Sequence, residues 1–184
     1  KFLVNFSSEG GGPIQLNDLV GGYGDKEIFG PLNTIILYGE KVVFLGDNGS
    51  GKTTLLKTIT GKIKPISGNV DFDNSLIIGD LMQEHENLPR EETVNNFLTK
   101  KEKLSEEDAY DLFTKAGFLP EEIEKKIGSL SPGGRARLLL AIFSYKNINT
   151  LVLDEPTSHL DIEAMDSLAE ALRNFPGTVI LVSH

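Results

Sequence analysis

The run Gly46-Asp47-Asn48-Gly49-Ser50-Gly51-Lys52-Thr53 constrains the fold more than any other stretch of this 184-residue chain. It follows Val42-Val43-Phe44-Leu45, an apolar run ending at glycine that reads as a strand buried on both faces. It precedes Leu55, Leu56 and Ile59, which recur at helical spacing. Strand, glycine-rich loop and helix in that order make an anion cradle. Glycines let the backbone curl so that successive N–H groups point inward, and the helix aims its positive end at the same place. The run satisfies G-x-x-x-x-G-K-[ST]. Lys52 would neutralise β- and γ-phosphate charge and the Thr53 hydroxyl would bind Mg²⁺. Gly46 through Thr53 form the expected phosphate cradle.

A second strand, Leu151-Val152-Leu153, runs straight into Asp154 and Glu155. An acid at the end of a buried strand beside a phosphate loop can hold Mg²⁺, usually through water, and Asp154 suits that role. Glu155 points elsewhere and could accept a proton from an attacking water.

The rest of the chain reads as an α/β core carrying a helical insert. Phe2 to Phe6 is apolar-rich, and 7–13 is a loop. Ile14, Leu16 and Leu19-Val20 are strand-like, Gly21-Gly22-Tyr23-Gly24 reads as a turn, and Thr34 to Tyr38 as another strand. Residues 91–127 turn helical and charged. Ser105 is placed to cap a helix with Glu106, Glu107 and Asp108 on its positive end, and Pro120 to start another. An apolar helix follows Arg135. Asp161 caps a further helix whose apolar face is expected to be Ile162, Met165, Leu168, Leu172 and Phe175. Val179 to Val182 closes the chain as a buried strand.

Composition excludes several classes. There are 27 acidic and 18 basic residues, a formal charge of −9, which argues against a broad nucleic-acid footprint. No cysteine is present, so there is no disulfide, thiolate metal site or thiol nucleophile. The longest apolar run, Leu138 to Phe143, falls far short of the roughly 20 residues of a membrane span, and no signal peptide is visible. A cytoplasmic location is expected. The start at Lys1 and the stop at His184, straight after an apolar run, predict a piece of a longer protein, truncated at its carboxyl end.

Beyond the loop and the acidic pair the chain resembles the ATP-binding cassette (ABC) family along nearly all its length. Leu130-Ser131-Pro132-Gly133-Gly134-Arg135 is similar to the family signature, Gln83 lies where the Q-loop glutamine lies, and Ser158-His159-Leu160-Asp161 resembles the D-loop. His184 stands in the place of the switch histidine. Tyr23, 29 residues before Lys52, is placed like the aromatic that stacks on adenine, with Phe29 as the competing candidate. Asp154 to Asp161 is close to the string typical of the ABC-F branch, as is the ending from Ala171, and the opening segment resembles the lead-in to a second cassette.

The resemblance implies a P-loop NTPase core of ABC type. It would have an N-terminal antiparallel β subdomain (mainly 1–45), a P-loop core (46–83), an inserted α-helical subdomain (84–130), and the signature helix with the remaining core (131–184). It implies ATP and Mg²⁺ as cofactors. Glu155 and His184 would be catalytic. Tyr23, Gly46 to Thr54, Gln83, Ser131, Gly133 and Asp161 would contact nucleotide, and Thr53, Gln83 and Asp154 would serve the metal. The implied partner is a second cassette packed head to tail, so that one cassette holds half of each site and hydrolyses weakly alone. The leading role is that of an ABC-F factor at the ribosome, in translation or antibiotic resistance. The alternatives are the ATPase subunit of a membrane transporter, working with a permease, and an ATP-gated interaction module that does not hydrolyse. Pro132 departs from the family: it replaces the first signature glycine and has no N–H to offer a phosphate. Gly134 stands where Gln or Glu is usual, and Ser158 where asparagine is.

Overall fold

β-branched and aliphatic residues at alternate positions from Ile14 onward build an antiparallel sheet. The computed structural model describes residues 10–47, 49–156 and 160–183. β1 (Ile14–Tyr23) and β2 (Lys26–Ile36) form a hairpin paired from Ile14↔Ile36 to Tyr23↔Lys26, with register shifts after Leu16, Leu19 and Gly21. Strand β4 (Ser67–Phe72) adds antiparallel to the other side of β1, giving the order β2-β1-β4.

The expected turn at Gly21–Gly24 lies later than the sequence suggests. β1 continues through Tyr23, and only Gly24 and Asp25 make the connection, with Gly24 at φ 59°. Gly21 and Gly22 serve close approach instead. A Cβ on Gly21 would fall 2.2 Å from the Phe29 ring, and one on Gly22 1.9 Å from the Lys26 carbonyl oxygen. β4 was not legible as a strand, because Gly68, Asn69 and Asp71 give it a polar reading; it is an edge strand, four of whose six residues are exposed.

A parallel sheet of order β3-β7-β6-β5 is made from β3 (Lys41–Leu45), β5 (Ile78–Asp80), β6 (Thr150–Asp154) and β7 (Thr178–Ser183). β6 and β7 are central and largely buried. β3 differs from the expectation of burial on both faces: its burial alternates, with Val43 50% and Leu45 74% exposed, because β3 is the edge of this sheet. Helix α1 (Lys52–Ile59) packs Leu55, Leu56 and Ile59 into a core with Ile14, Leu16, Leu19 and Ile36 from the antiparallel sheet and Val152, Ile180 and Val182 from the parallel one. Both sheets and α1 belong to one compact unit, made of described residues from 10–80, 148–156 and 176–183.

The described residues of 81–147 and 160–175 form a second unit, which is helical. It holds α2 (Leu81–Glu86), α3 (Val94–Asn96) running into a wide turn over Phe97–Lys101, α4 (Glu106–Lys115), α5 (Pro132–Tyr145) and α6 (Ile162–Asn174). Ser105 caps α4 as expected, accepting from the Asp108 N–H at 3.0 Å. Pro120 opens only a short 3₁₀ turn, Pro120–Glu124. Asp161 caps α6, accepting from the Ala164 N–H at 2.8 Å. The inward face of α6 is Ala164, Leu168 and Ala171, and Ile162 is 82% exposed, against expectation. Of the expected face, Leu168 and Phe175 are buried and Met165 and Leu172 half-buried, so only Ile162, in the first turn, falls outside it. Among the described residues no helix is long and apolar enough to cross a membrane.

Candidate nucleotide site

Parallel pairing brings the carboxyl ends of β3, β6 and β7 to one edge, where Leu45 pairs with Ser183 and Asp154 with Val182. Ligands of open α/β sheets gather at such an edge. The glycine-rich loop springs from it. The Gly46 N–H donates to the Ser183 carbonyl at 3.3 Å, and the Ser50 N–H to the Asp47 carbonyl at 3.1 Å. Gly49 and Gly51 take φ values of 83° and 92°, a region that favours glycine. A Cβ on Gly51 would also fall 2.7 Å from Ile28 Cγ2. The sequence pattern thus encodes a backbone path that other residues would obstruct.

α1 begins at Lys52 without a side-chain cap and without an acid in its first turn. Among the described residues no side chain caps its leading N–H groups, which face the loop. Lys52 Nζ is tied to three oxygens: it donates to the Gly46 carbonyl, to the Ser183 carbonyl at 3.0 Å, and pairs with Glu155 Oε1 at 3.0 Å. Thr53 Oγ1 lies 3.4 Å from Asp154 Oδ1. Glu155 itself sits at φ 49°, its N–H donating to the Val182 carbonyl at 3.0 Å, so the backbone bends sharply just after Asp154. That bend sends two adjacent acids in different directions, one to the threonine and one to the lysine.

Between these groups lies a cavity of about 340 Å³ whose wall includes Ile28, Gly51, Lys52, Thr53 and Glu155, within the range of small-ligand sites. The donor set fits a polyphosphate: curled glycine backbone, uncapped helix N–H groups and an ammonium. The Thr53 hydroxyl and Asp154 carboxylate, both hard oxygen donors, fit Mg²⁺. Ile28 was not anticipated; an apolar residue beside Phe29 reads as part of an ordinary strand and gives no signal of a ligand site. Tyr23 ends β1 and is 52% exposed, whereas Phe29 is partly buried in the core cluster, its ring over Gly21.

The remaining predicted residues lie in the helical unit or outside the described residues. Gln83 is exposed on α2. Ser131 caps α5, accepting from the Gly134 N–H at 3.0 Å, and Pro132 occupies the first helical position, where a missing N–H costs the helix nothing. Gly133 is buried against α6, where a Cβ would stand 3.1 Å from the Ala164 nitrogen. Arg135 is buried behind them, donating to the Leu130 carbonyl at 2.5 Å. Burial lowers its pKa, Arg90 adds to that and Asp161 opposes it, although a guanidinium remains charged. Asn48, Ser158, His159 and His184 lie outside the described residues.

Comparison with known proteins agrees with this geometry. The family profile described as ABC transporter matches residues 29–158. The chain is 37% identical over 185 residues to the "Probable ATP-binding cassette sub-family F member 3 homolog" of Encephalitozoon cuniculi, covering 100% of this chain and 33% of that protein. It is 36% identical over 174 residues to ABC transporter F family member 2 of Arabidopsis thaliana, covering 93% and 26% respectively. The chain thus spans a third or less of the length of these relatives. Among solved structures, cbiO1 from Clostridium perfringens, described as part of the ABC transporter complex cbiONQ, aligns with a TM-score of 0.72 at 28% identity over 93% of this chain and 78% of that one. The chain belongs to the ABC transporter family as an ATP-binding cassette domain with an α/β P-loop fold, and it is similar to members of subfamily F.

Proposed function

We propose that this chain binds and hydrolyses Mg-ATP as one of two cassettes that pack head to tail, in an ABC-F protein acting at the ribosome. The observation that carries the reading is the meeting of Lys52, Thr53, Asp154 and Glu155 at one end of the parallel sheet. Lys52 and the leading N–H groups of α1 hold and neutralise the phosphates, and loop residues Gly46 to Thr54 wrap them. Thr53 and Asp154 would hold Mg²⁺, which when bound would supply charge stabilisation to the transferring phosphoryl group, and the family resemblance assigns Gln83 to the same ion. Glu155 accepts the proton of the attacking water, and the family resemblance assigns His184, which lies outside the described residues, to the terminal phosphate as the switch histidine. Tyr23 stacks on the adenine.

Ser131 and Gly133 address the nucleotide of the other cassette, with Asp161 at the same interface. Pro132 removes one N–H from that contact, so Ser131 and Gly133 carry it. The similarity to subfamily F members supports a tandem, cytoplasmic protein, and a ribosomal partner follows from the resemblance of Asp154 to Asp161 to the ABC-F string. A second reading, the ATPase subunit of a membrane transporter bound to a permease, is favoured by the likeness to cbiO1.

One experiment separates them. With Glu155→Gln in the full-length protein and ATP present, the protein should sediment with ribosomes. Sedimentation with a membrane complex would establish the transporter reading instead. Loss of nucleotide binding after Lys52→Ala is required under both.

A further inference from the structure

The helix carrying Gln83 makes a hydrogen bond to the first turn of the signature-like helix through one buried side chain. α2 packs on α5 within the helical unit. On α2, Leu81, Met82 and His85 turn inward while Gln83 is exposed. His85 is only 8% exposed, and its Nε2 lies 3.3 Å from the Pro132 carbonyl oxygen. A carbonyl can only accept, so Nε2 carries the hydrogen. Pro132 stands between Ser131 and Gly133, and its carbonyl belongs to the first turn whose N–H groups Ser131 caps.

A six-residue helix cannot hold its own orientation by backbone bonds, so what it packs against decides where Gln83 is presented. Leu81 and Met82 bring non-directional contact, whereas the His85 hydrogen bond fixes one distance and one angle. Its acceptor lies in the loop expected to meet a different nucleotide from the one Gln83 meets.

We propose that His85 is a positioning residue that locks Gln83 to the Ser131–Gly133 turn, so that the two motifs shift together. The proposal rests on the roles given to Gln83, Ser131 and Gly133 above.

The test compares His85→Ala and His85→Gln in the full-length protein; the glutamine amide can place a donor where Nε2 stood. Binding of a fluorescent ATP analogue (MANT-ATP), kcat and KM for ATP, and hydrogen exchange of the amides in 81–86 and 133–135 are measured. His85→Ala should lower kcat by roughly tenfold, as for a misplaced positioning group, with MANT-ATP affinity within about twofold of the parent, since the Lys52 site is untouched. Both peptide segments should lose protection together, and His85→Gln should restore most of kcat and of the protection. A His85→Ala protein with unchanged kcat, or protection lost in 81–86 alone, would overturn the proposal. So would a folded His85→Gln variant as impaired as the alanine one. If the parent hydrolyses no ATP, the reading of function fails, while paired loss of protection still decides whether His85 couples the two segments.

Discussion

Lys52 Nζ and Glu155 Oε1 are 3.0 Å apart, so the residue suited to hold phosphate is ion-paired with the residue suited to activate water. Both side chains are largely withdrawn from solvent, at 9% and 21% exposure, where the attraction is screened far less than at the surface. The Gly46 and Ser183 carbonyls take up the other Lys52 donors. A phosphate entering the cradle must compete with these oxygens for the ammonium, and the carboxylate is the one whose side chain can swing away.

Lys52→Ala is expected to weaken Mg-ATP binding by about 100-fold, the equivalent of one charge-assisted contact of roughly 2.7 kcal/mol. Titration calorimetry reads this directly. Affinity within twofold of the parent would remove the loop from nucleotide binding altogether.

Glu155→Gln keeps the shape of the side chain and removes both its charge and its basicity. Hydrolysis should fall by about 10²–10⁴-fold. Nucleotide affinity should hold or tighten, because Lys52 no longer has a competing carboxylate. Equilibrium binding of ADP is the cleaner measure, since it is independent of turnover. Weaker ADP binding by the variant would show that the ion pair helps the site rather than competing with nucleotide.

The Thr53–Asp154 pair addresses the metal. Asp154→Asn should raise the Mg²⁺ concentration needed for half-maximal nucleotide binding by roughly tenfold, while binding measured with EDTA present stays unchanged, since the lost charge acts through the cation. A loss of equal size with and without Mg²⁺ would place Asp154 outside the metal site.

Much of this site is written in local sequence, because its parts are backbone requirements. Gly49 and Gly51 need positive φ, Lys52 and Thr53 need to open a helix, and Asp154 needs to end a buried strand; each leaves a mark within a few residues. Asp161 and Ser105 were legible as caps for the same reason. What escaped reading depends on neighbours far along the chain. Gly21 and Gly22 look like a turn until Phe29 and the Lys26 carbonyl are seen against them. β4 looks like a loop until β1 pairs with it, β3 looks doubly buried until its place at the sheet edge is known, and Ile28 carries no mark of its contact with Gly51.

That contact yields a stability prediction. Gly51→Ala must accept φ 92° and a Cβ 2.7 Å from Ile28 Cγ2, so it should cost about 1–3 kcal/mol and distort the cradle. Adding Ile28→Ala removes the clash but leaves the backbone strain. The double variant should therefore regain only part of the lost stability, as followed by urea unfolding. Full recovery would mean that the backbone conformation is not a source of strain.

Ser131 and Pro132 allow stability and nucleotide chemistry to be pulled apart. Ser131→Ala deletes the cap on the Gly134 N–H and should cost about 1 kcal/mol, or roughly 2–4 °C in Tm. Pro132→Gly should also lower Tm, because proline at the first helical position restricts the unfolded chain and glycine does not. It differs in returning an N–H to the turn that faces the partner's nucleotide under the proposed head-to-tail pairing. Of the two destabilised proteins, the glycine variant should hydrolyse ATP at or above the parent rate in the full-length protein, and the alanine variant below it. Differential scanning fluorimetry beside steady-state hydrolysis decides the matter, and if both rates simply follow Tm, the turn takes no part in binding phosphate.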